Sequence, residues 1–170
     1  AVNLALTILV LSSIVLLISA FLRLAMYEEA YGFTFTRVLA HSFMIFLIVI
    51  LAYTLVKIWL EKLSLFRFYF ISALIYYTCI NVINIDRLVV EQNITRYEET
   101  GKIDLGYLDS LSSAGTFGLI KLYEQNPEIP GLAELLNQKK IDIQYLQINS
   151  WQSHNITREK VYEMMKKLEL

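Results

Sequence analysis

The chain predicts an all-α integral membrane fold: three transmembrane helices, the first two a protruding helical hairpin, then a small helical extramembrane region. Two observations predict it. Three long stretches, Leu4 to Leu22, Val38 to Val56 and Phe68 to Ile85, are apolar with almost no charge. Each is close to the roughly 20 apolar residues a helix needs to cross a hydrocarbon core of roughly 30 Å. Composition agrees: 56% of the 170 residues are hydrophobic and only 18% charged, against about 25% charged in a soluble domain. Mean hydropathy is +0.48.

The first span is apolar all round apart from Thr7, Ser12, Ser13 and Ser19. Small hydroxyl residues let membrane helices approach closely and bond across the contact. No breaker follows Leu22 until Gly32, which fits a C-terminal stop. Thr34 or Thr36 can then cap the second helix. Residues 4 to 62 therefore read as a helical hairpin that extends past the lipid. A basic stretch with Lys57, Lys62 and Arg67, and Glu61 among them, forms a short connection to the third span. That span carries Thr78, Asn81 and Asn84 at spacing three, one helical face, which should look at protein because an amide in hydrocarbon is left unsatisfied. The helix can run on through Asp86 and Arg87 to a stop at Gly101.

The boundary drawn from composition puts a transmembrane region at 1–90 and a helical extramembrane region at 91–170. Asp104 is a candidate N-cap, and Ser112 or Ser113 can cap a second short helix through Leu122. Pro127 and Pro130 break the chain before the helix-forming run that starts near Gly131. Residues 141 to 151 permit a strand or a helix, with helix favoured. Thr157 is expected to cap a last amphipathic helix with Val161, Met164, Met165 and Leu168 on one face. Eighty residues is near the lower limit for an independent core, so this region is expected to lean on the membrane helices or on chain upstream of them.

Charge excludes one partner class and gives a weak orientation. Residues 1–90 hold six Lys/Arg and four Asp/Glu, net +2; residues 91–170 hold nine and twelve, net −3. An acidic tail argues against nucleic acid, which needs a basic patch. The loop between spans two and three holds three basic residues against two, Arg23 and Arg37, around the first loop. Cytoplasmic loops are enriched in Lys and Arg, which places the second loop in the cytoplasm and the C-terminal region outside. Arg87 and Arg96 pull the other way. Cys79 is the one cysteine, so no intramolecular disulfide forms, and it reads as a small core residue. The first residue is Ala1 and no charged segment precedes the first span, so it does not read as a signal peptide. The chain is expected to be a piece of a longer protein with further helices upstream.

Two polar groups stand out. Tyr27, Glu28, Glu29, Tyr31, Arg37 and His41 cluster at the membrane boundary around the first loop. Arg37 and His41 are four apart and share a helix face, which a hairpin would bring near Glu28 or Glu29. The cluster fits a Glu–Arg–His network that binds a polar ligand or shuttles a proton. Charge pairing of Glu and Arg at the lipid boundary, with tyrosine rings as anchors, is the favoured reading. A Glu/His metal site has too few ligands and an adjacent arginine, so no metal and no cofactor are expected. The second group, Thr78, Asn81, Asn84 and Asp86, reads as interhelical glue or as the lining of a polar path. The triplets at Asn93 and Asn155 match the glycosylation acceptor pattern, and each also fits a helix cap. His154, beside Trp151, reads as a packing or surface residue. No nucleophile elbow, phosphate-cradling loop, paired-Cys motif or zinc-binding helix is present.

The run from Tyr27 to Gly32 (Tyr-Glu-Glu-Ala-Tyr-Gly), followed by Thr36, Arg37 and then His41 entering the next span, resembles a family of bacterial polytopic membrane proteins known only as a domain of unknown function. The similarity continues through Asn81, Asn84 and Asp86, the segment 101–113 and the Trp151 to Lys160 region. Ile85 stands where that family places a proline. The resemblance implies a bacterial cell-membrane protein with further helices upstream, and no activity. A non-enzymatic sensing, scaffolding or assembly module is therefore the leading expectation. Its partners would be the lipid bilayer, upstream helices of the same protein and another membrane or envelope protein. A transporter or channel subunit using Asn81 and Asn84 is the alternative. An intramembrane enzyme with Glu28 or Glu29 as base and His41 as acid is the third.

Overall fold

A computed structural model describes residues 1–60, 62–149 and 156–167. The described residues are helical, with no strand among them. In chain order the helices are α1 (Val2–Tyr31), α2 (Phe35–Trp59), α3 (Leu65–Val82), α4 (Ile85–Thr100), α5 (Leu105–Ser110), α6 (Ser113–Gln125), α7 (Leu132–Asn149) and α8 (Ile156–Lys167). The chain divides into two compact units, Ala1–Ile85 and Asp86–Leu170.

In the first unit α1, α2 and α3 are long and apolar enough to cross a membrane, and their apolar side chains point outward. Leu16 is 72% exposed and Phe66 78%. Such surface is unfavourable in water and is solvated by lipid. The hydroxyls of α1 return to their own backbone: Thr7 donates to Asn3 O at 2.8 Å and Ser13 to Leu9 O at 2.9 Å. Those two hydroxyls are satisfied without water.

Two residues turn the chain between α1 and α2. Gly32 adopts φ 89°, in the left-handed region that a side chain disfavours, and its N–H closes α1 on Glu28 O at 2.8 Å. Thr34 then caps α2, its hydroxyl accepting from Arg37 N at 3.4 Å. The stop and the cap are both where the sequence puts them. α2 meets α3 through polar and aromatic pairs: Thr54 with Tyr69 Oη at 2.5 Å, Ser42 with Tyr76 Oη at 3.1 Å, and stacked Tyr53 and Phe68 rings.

Two sequence expectations change here. A continuous helix from the third span to Gly101 does not form. It is interrupted at Ile83 and Asn84, and α4 restarts at Ile85 with Asp86 in its first turn, where a carboxylate suits the helix dipole. Cys79 is exposed on α3 rather than in a core; a small apolar side chain is equally at ease against lipid.

The second unit closes a core of its own. Val90, Ile94, Leu108, Leu119, Ile120, Leu122, Leu132, Leu136, Val161 and Met165 form one buried cluster, from α4, α5, α6, α7 and α8. Asp104 caps α5, accepting from Tyr107 N at 2.9 Å. Ser112 precedes α6 without a side-chain cap bond. Pro130 sits in the turn before α7, which runs as a helix to Asn149. Gly115 is where α5 and α6 nearly touch: a Cβ there would lie 2.1 Å from Leu108 O. Asn93 lies inside α4, 8% exposed and bonded to Val89 O, so it neither caps a helix nor offers a glycosylation site. Thr157, expected as the cap of the last helix, is already the second residue of α8. Glu61, Trp151, His154 and Asn155 lie outside the described residues.

Candidate functional site

The hairpin turn sets the geometry of the first polar cluster. Glu28 lies four residues before Gly32 and His41 seven after Thr34, so antiparallel α1 and α2 bring them face to face. His41 Nδ1 is 2.9 Å from Glu28 Oε2. Glu28 is 4% exposed, and its other oxygen, Oε1, is buried with no hydrogen-bond partner. His41 Nε2 lies 3.3 Å from the Phe21 carbonyl oxygen, and the Phe21 ring leans on the imidazole with centroids 4.3 Å apart. A carbonyl only accepts, so Nε2 carries a hydrogen and donates. That contact fixes the ring and aims Nδ1 at Glu28.

Arg37 takes a different partner. Its Nη1 donates to Gly32 O at 2.7 Å, and its guanidinium lies 5.9 Å from the Tyr27 ring centroid. The arginine thus binds a carbonyl that the end of α1 leaves without a helical donor. Tyr27 and Tyr31 stack at 5.3 Å and are exposed, and Glu29 is exposed as well. Of the six residues read from the sequence, Glu28 and His41 form the buried contact, Arg37 and Tyr27 flank the turn, and Tyr31 and Glu29 are peripheral. Phe21, which supplies both a carbonyl and a ring, was missed; an apolar residue in an apolar span gives no signal.

The second group does not form one helical face. Thr78 and Asn81 are on α3, Asn84 is in the interruption and Asp86 begins α4. The Thr78 hydroxyl returns to Leu74 O at 2.8 Å and the Asn81 amide to Tyr77 O at 2.7 Å, both on exposed surface. These bonds satisfy the polar groups within α3 itself.

A third feature carried no sequence signal. In the second unit a groove of about 670 Å³ is bordered by Asp109, Ser112, Thr116, Glu134, Gln138 and Lys139. Lys139 Nζ bridges from α7 to α5, donating to Asp109 O at 2.9 Å and to its carboxylate. The two residues are 30 apart in sequence, which no local pattern reveals. Among the described residues there is no group of three His, Cys, Asp or Glu side chains that could hold a metal ion.

No curated protein and no solved structure matches this chain. Residues 1–122 match the family described as a domain of unknown function (DUF4153). That match spans well over half of the sequence and includes the three membrane helices and the Glu28–His41 contact, and the chain belongs to this family.

Proposed function

We propose that this protein is a non-enzymatic sensing and assembly module of the bacterial cell membrane. Its three helices hold it in the bilayer, and its C-terminal helical unit meets another membrane or envelope protein on the extracytoplasmic side. One observation carries the reading: the second unit buries Leu108, Leu119, Leu132 and Leu136 to 1% exposure or less and still presents a polar groove. A segment that only ended a membrane domain would need neither. The polar groups of the membrane unit, by contrast, are largely used up in contacts within the hairpin and within α3.

Native electrophoresis of the full chain, extracted from its own membranes in mild detergent, tests the assembly role. A species larger than the detergent-bound chain is expected, with its size reduced by Glu134→Lys combined with Gln138→Lys. Migration as the free chain in every extraction refutes it. Sidedness is tested with Asn126→Cys in a Cys79→Ser background. Labelling of intact cells by a membrane-impermeant thiol reagent is expected, and protection until lysis refutes the extracytoplasmic placement.

A further inference from the structure

The Glu28–His41 contact holds one acceptor that nothing uses. Oε2 lies 2.9 Å from His41 Nδ1, while Oε1 is buried and unpartnered. An unsatisfied buried carboxylate oxygen costs its full desolvation penalty, so a native structure that keeps one calls for an explanation. Burial closes Oε1 to any partner side chain from outside the hairpin. The smallest species that can remove the buried charge there is a proton.

We propose that Glu28 Oε1 is a proton-binding site. One proton from hydronium forms an O–H bond at Oε1, releasing water, and the carboxylate becomes a neutral acid. Oε2 keeps its contact with Nδ1, and Nε2 continues to donate to Phe21 O. The pair gains one unit of positive charge without losing either existing contact. No electrons move and no other reactant is needed.

The groups around the site give the proton a consequence. From α2, Arg37 and the His41 imidazole face Glu28; on α1, Tyr27 and Glu29 adjoin it in sequence. From α3, Tyr76 is bonded to Ser42, the neighbour of His41. Arg37 and His41 are four residues apart on one face of α2, so the carboxylate faces both and offsets the Arg37 charge. Once it is neutral that attraction is lost, and the turn end of the hairpin loosens. This deepens the sensing part of the proposed function by naming the proton as what is sensed. The two fail separately, because assembly is read from native size and proton uptake from spectroscopy.

The test uses the full chain in lipid nanodiscs, in a His154→Asn background that leaves His41 as the single histidine. Isotope-edited infrared spectra on stepwise acidification are expected to gain one protonated-carboxyl band that Glu28→Gln lacks and Glu29→Gln keeps. Nitrogen NMR is expected to show the same His41 protonation state before and after that step. Should Glu28→Gln not fold, Glu28→Asp must keep the band at a shifted frequency. The proposal is overturned if no such band arises while the chain remains folded. It is also overturned if the band appears only together with a change in His41 protonation, since the proton would then only have moved within the pair.

Discussion

Replacing Gly115 by alanine sets two opposed effects against each other, and the structure decides their sign. In an exposed helix interior Gly→Ala stabilises by about 1 kcal/mol, because the unfolded chain loses freedom and the helix gains a better former. At Gly115 the new Cβ would sit 2.1 Å from Leu108 O and 2.9 Å from Leu111 Cβ. The nearer atom is backbone, so no side-chain rotation relieves the clash and α5 must shift from α6. Overpacking of this kind costs about 1–3 kcal/mol, occasionally more, and rigid backbone on both sides favours the upper end. The net expectation is a loss of about 2 kcal/mol, or roughly 30-fold in the local opening equilibrium. Hydrogen exchange of the α6 amides in the full chain reads that quantity directly. Gly106→Ala is the internal control: its Cβ would lie 3.6 Å from Asp104 Oδ1, an ordinary contact, so exchange should be unchanged or slower. Unchanged or slower α6 exchange in Gly115→Ala would refute the close approach of α5 and α6.

Four further outcomes follow from other contacts. Glu28→Gln and His41→Gln should each cost about 1–3 kcal/mol in detergent unfolding. The double variant should cost less than their sum by about 0.5–3 kcal/mol, and full additivity would show that the two side chains do not interact. Lys139→Met should lower the thermal midpoint more than Asp109→Ala, because the lysine serves a backbone carbonyl as well as the carboxylate and the alanine variant leaves the first bond in place. The reverse order would mean the carboxylate alone holds the link. Asn81→Leu should change stability by less than about 0.5 kcal/mol, since its amide is bonded within α3 on exposed surface; a loss of several kcal/mol would place that amide against protein. Thr34→Ala should cost about 0.5–1 kcal/mol, the low end for a cap at 3.4 Å, measured as faster exchange in the first turn of α2.

The membrane helices and the turn between α1 and α2 were legible because lipid imposes length and apolarity, and because Gly32 and Thr34 are strong punctuation. The interruption at Ile83 and Asn84 was not, since neither residue is a helix breaker and the apolar pattern runs straight through it. The polar cluster was legible as a set of residues, though not in its pairing. Whether Glu28 meets Arg37 or His41 depends on the rotation of α2 about its axis. That rotation is fixed by many weak contacts, among them the Phe21 ring on His41, which no single residue announces. The link from Lys139 to Asp109 and the approach at Gly115 depend on how α5, α6 and α7 pack, so they follow from tertiary structure alone.

The three membrane helices differ in length, and this carries a consequence for the bilayer itself. At 1.5 Å per residue α1 is about 45 Å long, α2 about 37 Å and α3 only about 27 Å. The short link after Leu60 brings the end of α2 and the start of α3 to one surface. At the opposite surface α3 therefore stops about 10 Å short of the start of α2. A hydrocarbon layer of about 30 Å is matched by the hairpin with length to spare but is slightly too thick for α3. The layer must thin beside Val82, or Asn81 and Asn84 must draw headgroups inward to meet them. Either response costs fractions of a kcal/mol per Å, so the energy of the hairpin and α3 together depends on acyl-chain length.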